Sequence, residues 1–137
     1  MIVTKALEVI ELAQGRPIVL LGNNVTVMNK VCLKLSKTEI EPFTQLMKRN
    51  NNIKFINTWV EYIRFLSDIT IEELNLDHYY KYEDRGWTLE EYDDCYAVDV
   101  FIDNYDVEQP FIVRIDKKSI TDADLKNLKR ICDRGID

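Results

Sequence analysis

YAVDVFID, residues 96–103, is the stretch that decides the fold, because apolar side chains recur in it at every second position. This period of two is typical of a β-strand with one face in a core and the other in water. Residues 103–106 predict a turn, and residues 110–115 predict the next strand, with Phe111, Val113 and Ile115 on one face. Two strands joined by a short turn predict an antiparallel hairpin.

The sequence before this hairpin predicts a helix, a second hairpin and another helix. Residues 4–15 have helical apolar spacing between a Thr cap and a terminating Gly. Residues 18–21 and 25–35 flank a Gly-Asn-Asn turn and predict a hairpin, with a further turn at Asn29-Lys30. Ser36 and Glu39 have the spacing of a capping box, so a helix is predicted to follow and to end near residue 50.

The remaining segments predict shorter elements. Residues 53–56 predict a strand, residues 59–66 a helix with a further turn at 70–74, and residues 78–82 another strand, which is broken at 84–86. Thr88 and Glu91 repeat the capping-box spacing and predict a short helix. A last helix is predicted from about Thr121 to Gly135.

These elements together predict an α+β fold. We expect a single domain, residues 1–137, with one antiparallel sheet of about five strands and two to four helices packed on it. A chain of 137 residues that is 46% hydrophobic is long enough for one substantial core. No apolar run approaches the roughly 18 residues of a membrane span, and the first residues do not resemble a signal peptide. We therefore expect a cytoplasmic protein with no membrane partner.

Charge is distributed very unevenly along the chain. Residues 83–108, the acidic segment, hold ten of the 24 Asp and Glu residues and a single basic residue, Arg85, so their net charge is −9. The rest of the chain has a net charge of +3. Such a dense set of carboxylates repels itself unless it stays solvated or meets a basic partner. We expect the acidic segment, read as a helix followed by a strand, to lie on the surface.

The sequence contains no recognisable catalytic or metal-binding arrangement. His78 is the only histidine, and Cys32, Cys95 and Cys132 are far apart and odd in number, so reduced thiols are expected. A zinc site needs closely spaced pairs of ligands, and an EF-hand needs Gly and Glu at fixed positions; both patterns are absent from the sequence. We therefore expect a protein that is not an enzyme and that uses no cofactor.

Aromatic residues point to the core or to a protein interface more than to nucleic acid. Trp59, Tyr62 and Phe65 lie along the helix that is predicted to begin at residue 59. Tyr79, Tyr80 and Tyr82 lie on both faces of the predicted strand. Proteins that stack bases on aromatic rings also have a basic groove, whereas an acidic segment follows these residues. We therefore expect no direct binding to nucleic acid, and we expect a homodimer in which the tyrosines contact a second copy.

A resemblance to a known family covers residues 4–82. Lys5-Ala6-Leu7-Glu8 with a Gly that ends the helix, and later Thr70-Ile71-Glu72-Glu73-Leu74 followed by Asp77 and Tyr79, resemble the start and end of small phage Thoeris anti-defence proteins. The resemblance implies a phage protein that acts as a sponge and sequesters a nucleotide immune signal. A phosphate ligand would require basic groups, such as Arg16, Lys34, Arg64 or those of the last helix.

The charge pattern favours a different hypothesis, a phage-type inhibitor similar to acidic anti-CRISPR proteins and other DNA mimics. Its acidic surface would bind a basic host protein, such as a nucleic-acid-binding immune effector, and occlude the site that holds nucleic acid. The sponge is the alternative. The residues predicted to bind the partner are Glu83, Asp84, Trp87, Glu90, Glu91, Tyr92, Asp93, Asp94, Asp99, Asp103 and Asp106.

Overall fold

The fold is α+β, as the sequence predicts. The structure, a computed structural model, describes residues 1–74, 84–104, 107–108 and 111–134. The strand predicted at 78–82 and its tyrosines, together with His78 and Gly135, lie outside the described residues. The chain divides into two compact units, Met1–Thr58 and Trp59–Asp137, called here the first and second units. The assignment of residues 1–137 to a single domain stays a prediction.

The first unit consists of two helices and a four-stranded sheet. Its elements, in chain order, are α1 (Ile2–Ala13), β1 (Ile18–Leu21), β2 (Asn24–Val27), β3 (Lys30–Lys34), α2 (Lys37–Arg49) and β4 (Phe55–Ile56). The strand order is β3-β2-β1-β4. The predicted hairpin is confirmed, since β1 and β2 pair antiparallel, and β3 pairs antiparallel with β2. The short strand β4 runs parallel to β1.

Local sequence chemistry explains how α2 begins and how it is tied to α1. Ser36 and Glu39 form the predicted capping box. The Glu39 carboxylate also accepts a hydrogen bond from Lys5 Nζ on α1 at 2.9 Å. This contact, together with the Ser36 backbone N–H, lowers the pKa of Glu39 to about 2. The buried side chains of α1 and α2 then pack on one face of the sheet, with Phe43 and Met47 among the most buried.

The second unit places two helices on one face of its sheet. Its elements are α3 (Trp59–Leu74), β5 (Asp84–Glu91), β6 (Cys95–Asn104), β7 (Val107–Glu108), β8 (Phe111–Asp116), a 3₁₀ turn (Lys117–Ser119) and α4 (Asp122–Arg134). Strand β6 is central, because β5 pairs along one edge of it and β7 and β8 pair along the other, all antiparallel. Its core contains Ile63 from α3 and Leu128 and Ile131 from α4.

Two details of the predicted fold are wrong. The structure has two sheets of four strands each, and one of them is mixed, where a single antiparallel sheet of about five strands was expected. The parallel pair of β1 and β4 is formed across α2, and hairpin patterns carry no signal for such a crossover. The helix predicted at Thr88, and the break predicted at 84–86, are both replaced by β5. Thr88 and Glu91 have the spacing of a capping box, but the residues around them do not have the apolar periodicity of a helix. Trp87 and Leu89 alternate with polar residues, as a strand requires.

A buried carboxylate joins α4 to the start of α3. Asp124 accepts hydrogen bonds from the backbone N–H groups of Trp59, at 2.6 Å, and Val60, at 3.4 Å. The Trp59 indole N–H in turn donates to the Ser119 carbonyl at 3.0 Å. The first N–H groups of a helix have no partner within the helix, so Asp124 supplies from a distant element what an N-cap residue normally supplies. Burial raises the pKa of the Asp124 carboxyl, and the two N–H groups oppose that effect.

We predict that Asp124→Ala lowers the free energy of unfolding by about 1–2 kcal/mol, because two helix N–H groups lose their acceptor. Asp124→Asn keeps one acceptor oxygen and should cost less. The exposed Asp122 on the same helix provides the matched control, and Asp122→Asn should change stability by less than about 0.5 kcal/mol. Urea unfolding measures all three variants. Equal losses in Asp124→Ala and Asp122→Asn would contradict the assigned role.

Candidate protein-binding face

The second sheet has one face in the core and one face open to solvent. The register pairs Trp87 with Val100 and Leu89 with Val98, and these side chains belong to the core. The side chains between them point the other way, because successive residues of a strand alternate between faces. This opposite side is called the outer face. Its residues on the three strands are Gly86, Thr88, Glu90 and Tyr92 on β5 and its following turn, Cys95, Ala97, Asp99 and Phe101 on β6, and Ile112, Arg114 and Asp116 on β8.

The outer face continues into an acidic turn between β5 and β6. The Tyr92 N–H donates to the Cys95 carbonyl at 2.8 Å and closes the turn. Asp93 and Asp94 lie within it, and both are exposed. The Lys117 backbone N–H donates to the Asp94 carbonyl at 3.3 Å, so the turn is also held from the start of the 3₁₀ turn that follows β8. Backbone hydrogen bonds therefore fix this turn, and its two carboxylates remain directed to water.

One carboxylate next to the turn is paired. Lys117 Nζ donates to Glu91 Oε2 at 2.8 Å, and the same ammonium group lies 5.1 Å from the centre of the Tyr96 ring. The hydrogen bond from Lys117 lowers the pKa of Glu91, and the Glu91 carboxylate raises the pKa of Lys117. Among residues 86–101, the part of the acidic segment whose side chains the structure describes, this is the one ion pair. Glu91 is thus part of the scaffold, while Glu90, Asp93 and Asp94 remain available to a partner.

Tyr92 is the exposed aromatic residue of this surface. Its side chain is 48% exposed, and its hydroxyl donates to Glu90 Oε2 at 2.9 Å. Glu90 is on the outer face of β5, and Tyr92 follows two positions later, directly after the strand, which explains why they meet. The hydrogen bond to the Glu90 carboxylate raises the pKa of Tyr92. The ring is therefore held in one orientation while it remains accessible.

The outer face carries residues that the sequence analysis did not select. Thr88, Asp99 and Ile112 lie side by side across the three strands, and Glu90, Ala97 and Arg114 form the neighbouring row. Ile112 is 60% exposed, and Arg114 is exposed. The sequence did assign Arg114 to the face opposite Phe111, Val113 and Ile115. What it lacked was the pairing of β8 with β6, which brings Ile112 and Arg114 beside the acidic segment.

Phe101 closes one end of the outer face over a glycine. Gly86 on β5 is directly opposite Phe101 on β6. A Cβ atom added at Gly86 would lie 2.8 Å from the tip of the Phe101 ring. The ring therefore covers backbone that has no side chain of its own, an arrangement that pins strand register. An aromatic residue at 101 and a glycine at 86 thus depend on each other.

Apart from Trp87, the predicted binding residues separate into three groups. Glu90, Glu91, Tyr92, Asp93 and Asp94 are exposed, as predicted, and Asp99 is partly exposed on the outer face. Asp84 and Asp103 are opposite each other in the β5–β6 pair, and only their backbone is described. Glu83 and Asp106 lie outside the described residues.

The structure contradicts the prediction that Trp87 binds a partner. It is only 3% exposed and belongs to the core of the second unit. It is buried because β5 is a strand and Trp87 faces the same side of the sheet as Val100. The sequence had predicted a helix that begins at Thr88, so Trp87 was expected to lie just before that helix. Its indole N–H has no acceptor within hydrogen-bond distance in the described ranges. A Trp87 variant would therefore report on stability and not on binding.

Comparison with known proteins identifies no relative: no family model, curated protein or solved structure matches this chain. Nor do the described residues contain a group of three or more His, Cys, Asp or Glu side chains that could hold a metal ion. None of the helices in the described ranges has the length and apolar character needed to cross a membrane.

We predict that neutralising the free carboxylates leaves the fold intact. The variant combines Glu90→Gln, Asp93→Asn and Asp94→Asn, and Glu91 is kept because it pairs with Lys117. Its melting temperature should be unchanged or higher, since like charges no longer repel each other. Thermal unfolding at low ionic strength followed by circular dichroism measures the effect. A decrease of more than about 5 °C would mean that these carboxylates are required by the fold.

Proposed function

We propose that this protein is a non-enzymatic inhibitor that binds a basic surface of a nucleic-acid-binding protein and occludes it. The observation that carries the proposal is the set of exposed carboxylates Glu90, Asp93 and Asp94, which have no ion-pair partner among the described residues. These carboxylates stand on backbone that a sheet and a closed turn hold in place. They offer a basic partner a prearranged anionic surface, as a nucleic acid does.

Charge of this kind acts first on the rate of encounter. A complementary potential steers two proteins together, and the association rate then falls as salt screens the charges. The target class that fits is a host protein with Lys and Arg groups arranged for phosphates, such as an immune effector that binds nucleic acid. In this proposal the protein is a phage-type, anti-CRISPR-like factor that acts in the host cytoplasm and needs no cofactor.

We predict that capture of such a partner depends on salt and on the acidic turn. The protein, immobilised and exposed to host lysate at low salt, should retain a basic nucleic-acid-binding protein and release it at high salt. With that purified partner, Asp93→Lys combined with Asp94→Lys should slow association by about tenfold or more. Added duplex DNA should compete with this protein for the partner.

The control changes the same amount of charge elsewhere. Glu8 and Glu11 are exposed on α1, and Glu8→Lys with Glu11→Lys should leave association unchanged within about twofold. Binding that is indifferent to salt and to the reversal at the turn, or a partner that keeps its nucleic acid in the complex, would refute the proposal. A small ultraviolet-absorbing molecule released from the purified protein on heating would favour the nucleotide sponge instead.

A further inference from the structure

We infer that the outer face contains an apolar anchor, formed by Tyr92 and Ile112, so that the partner must present apolar side chains among its basic groups. The inference rests on the proposed function and specifies the partner: a basic protein surface with an apolar centre, not a uniform polycation. Trp87, the aromatic residue that the sequence predicted to bind the partner together with Tyr92, is in the core. The exposed side chains of the outer face take its place.

The two anchor residues lie on opposite sides of β6. Tyr92 follows β5 and Ile112 is on β8, so one complete strand, β6, separates them. Between them lies Ala97, the smallest side chain of the outer face on β6, which is 7% exposed. With strands about 4.8 Å apart, the anchors are two strand spacings apart across the sheet, and they are also four residues of β6 apart along it, because Tyr92 lies beside Cys95 and Ile112 is opposite Asp99. Since Ala97 is almost fully covered, the apolar surface open to a partner consists of Tyr92 and Ile112 themselves.

Charges around the two anchor residues define the chemistry of the partner. Glu90, Asp99 and Asp116 contribute three carboxylates on the outer face, against one guanidinium, Arg114. A basic partner is complementary to this set. A second copy of the chain is not, because each copy would bring three carboxylates against three others, and like charges facing each other are strongly unfavourable.

Arg114 limits how a basic partner can be oriented on the outer face. It is directly opposite Ala97 in the β6–β8 pair and is exposed. A partner with Lys or Arg over this position would be repelled, while one with an acidic or neutral group there would not. A single cation within an anionic face therefore favours one alignment of the partner over others.

Prearrangement favours Tyr92 as an anchor. Its ring keeps 48% of its surface exposed while its hydroxyl is bound to Glu90. Tyrosine is enriched among residues that dominate binding energy, and a ring already fixed loses little conformational freedom on binding. Ile112 adds an exposed β-branched side chain from a strand fixed by its pairing with β6. Electrostatic attraction then brings the partner in, and apolar contact keeps it bound.

Two synthetic peptides of equal length and equal Arg content test the inference. In one peptide the Arg residues alternate with Leu, and in the other they alternate with Ser. We expect the full-length protein to bind the Arg-Leu peptide about tenfold more tightly than the Arg-Ser peptide at the same salt. Ile112→Thr and Tyr92→Ser should each remove most of that preference. Backbone amide shifts in NMR spectra should map the peptide to β5, β6 and β8.

Leu7 provides the matched control, because it is an apolar residue of α1 with the same exposure as Ile112, 61% against 60%. Leu7→Gln should keep the preference. Circular dichroism should show that all variants stay folded, and Thr at position 112 retains the β-branch that suits a strand.

The possible results separate this inference from the proposed function. Equal, salt-sensitive binding of both peptides would overturn the apolar anchor and leave acidic recognition in place. A preference for the Arg-Leu peptide that survives Ile112→Thr and Tyr92→Ser, or that disappears in Leu7→Gln, would overturn the assignment of the anchor to the outer face. Binding of neither peptide, or binding that is indifferent to salt, would contradict the proposed function and the anchor together.

Discussion

The central strand β6 can place only one of its two faces in the core, and the organisation of the second unit depends on that constraint. Both edges of β6 are paired, so its backbone groups are satisfied by β5, β7 and β8. Helices α3 and α4 supply apolar side chains to the face that carries Val98 and Val100. The opposite face is left to water, which is common in antiparallel sheets. Its residues are therefore available for recognition, while those of the core face determine stability.

This division explains why neighbours in the acidic segment have different roles. Glu90 and Glu91 are adjacent in sequence but point to opposite sides of the sheet, and Glu91 meets Lys117 while Glu90 meets Tyr92. Trp87 and Thr88 differ in the same way, one buried and one exposed. A net charge assigned to the whole segment overlooks this alternation. The charge that a partner meets is that of the outer face and of the turn.

The sequence predicted the elements with strong local signals and missed those that depend on distant contacts. The capping box of Ser36 and Glu39 and the period of two along β6 are local, and both are confirmed. The parallel pair of β4 with β1 and the cap that Asp124 gives to α3 join residues far apart in the chain, so no local pattern reveals them. For the site, composition located the exposed carboxylates. The error about Trp87, and the omission of the exposed Ile112, followed from not knowing how β5 and β8 pair with β6.

Hydroxyl-radical footprinting of the free protein tests most directly whether the second sheet has one face in the core and its outer face in water. The rate of oxidation at each residue is measured by mass spectrometry and divided by the rate for the same residue in the urea-unfolded chain, which removes intrinsic reactivity. If one face of the sheet is buried and the other exposed, the rate for Tyr92 should be a large fraction of the unfolded rate and Trp87 should be strongly protected, since the first is 48% exposed and the second 3%. A reactive Trp87 beside a protected Tyr92 would contradict this arrangement, because the faces of the sheet would then be reversed.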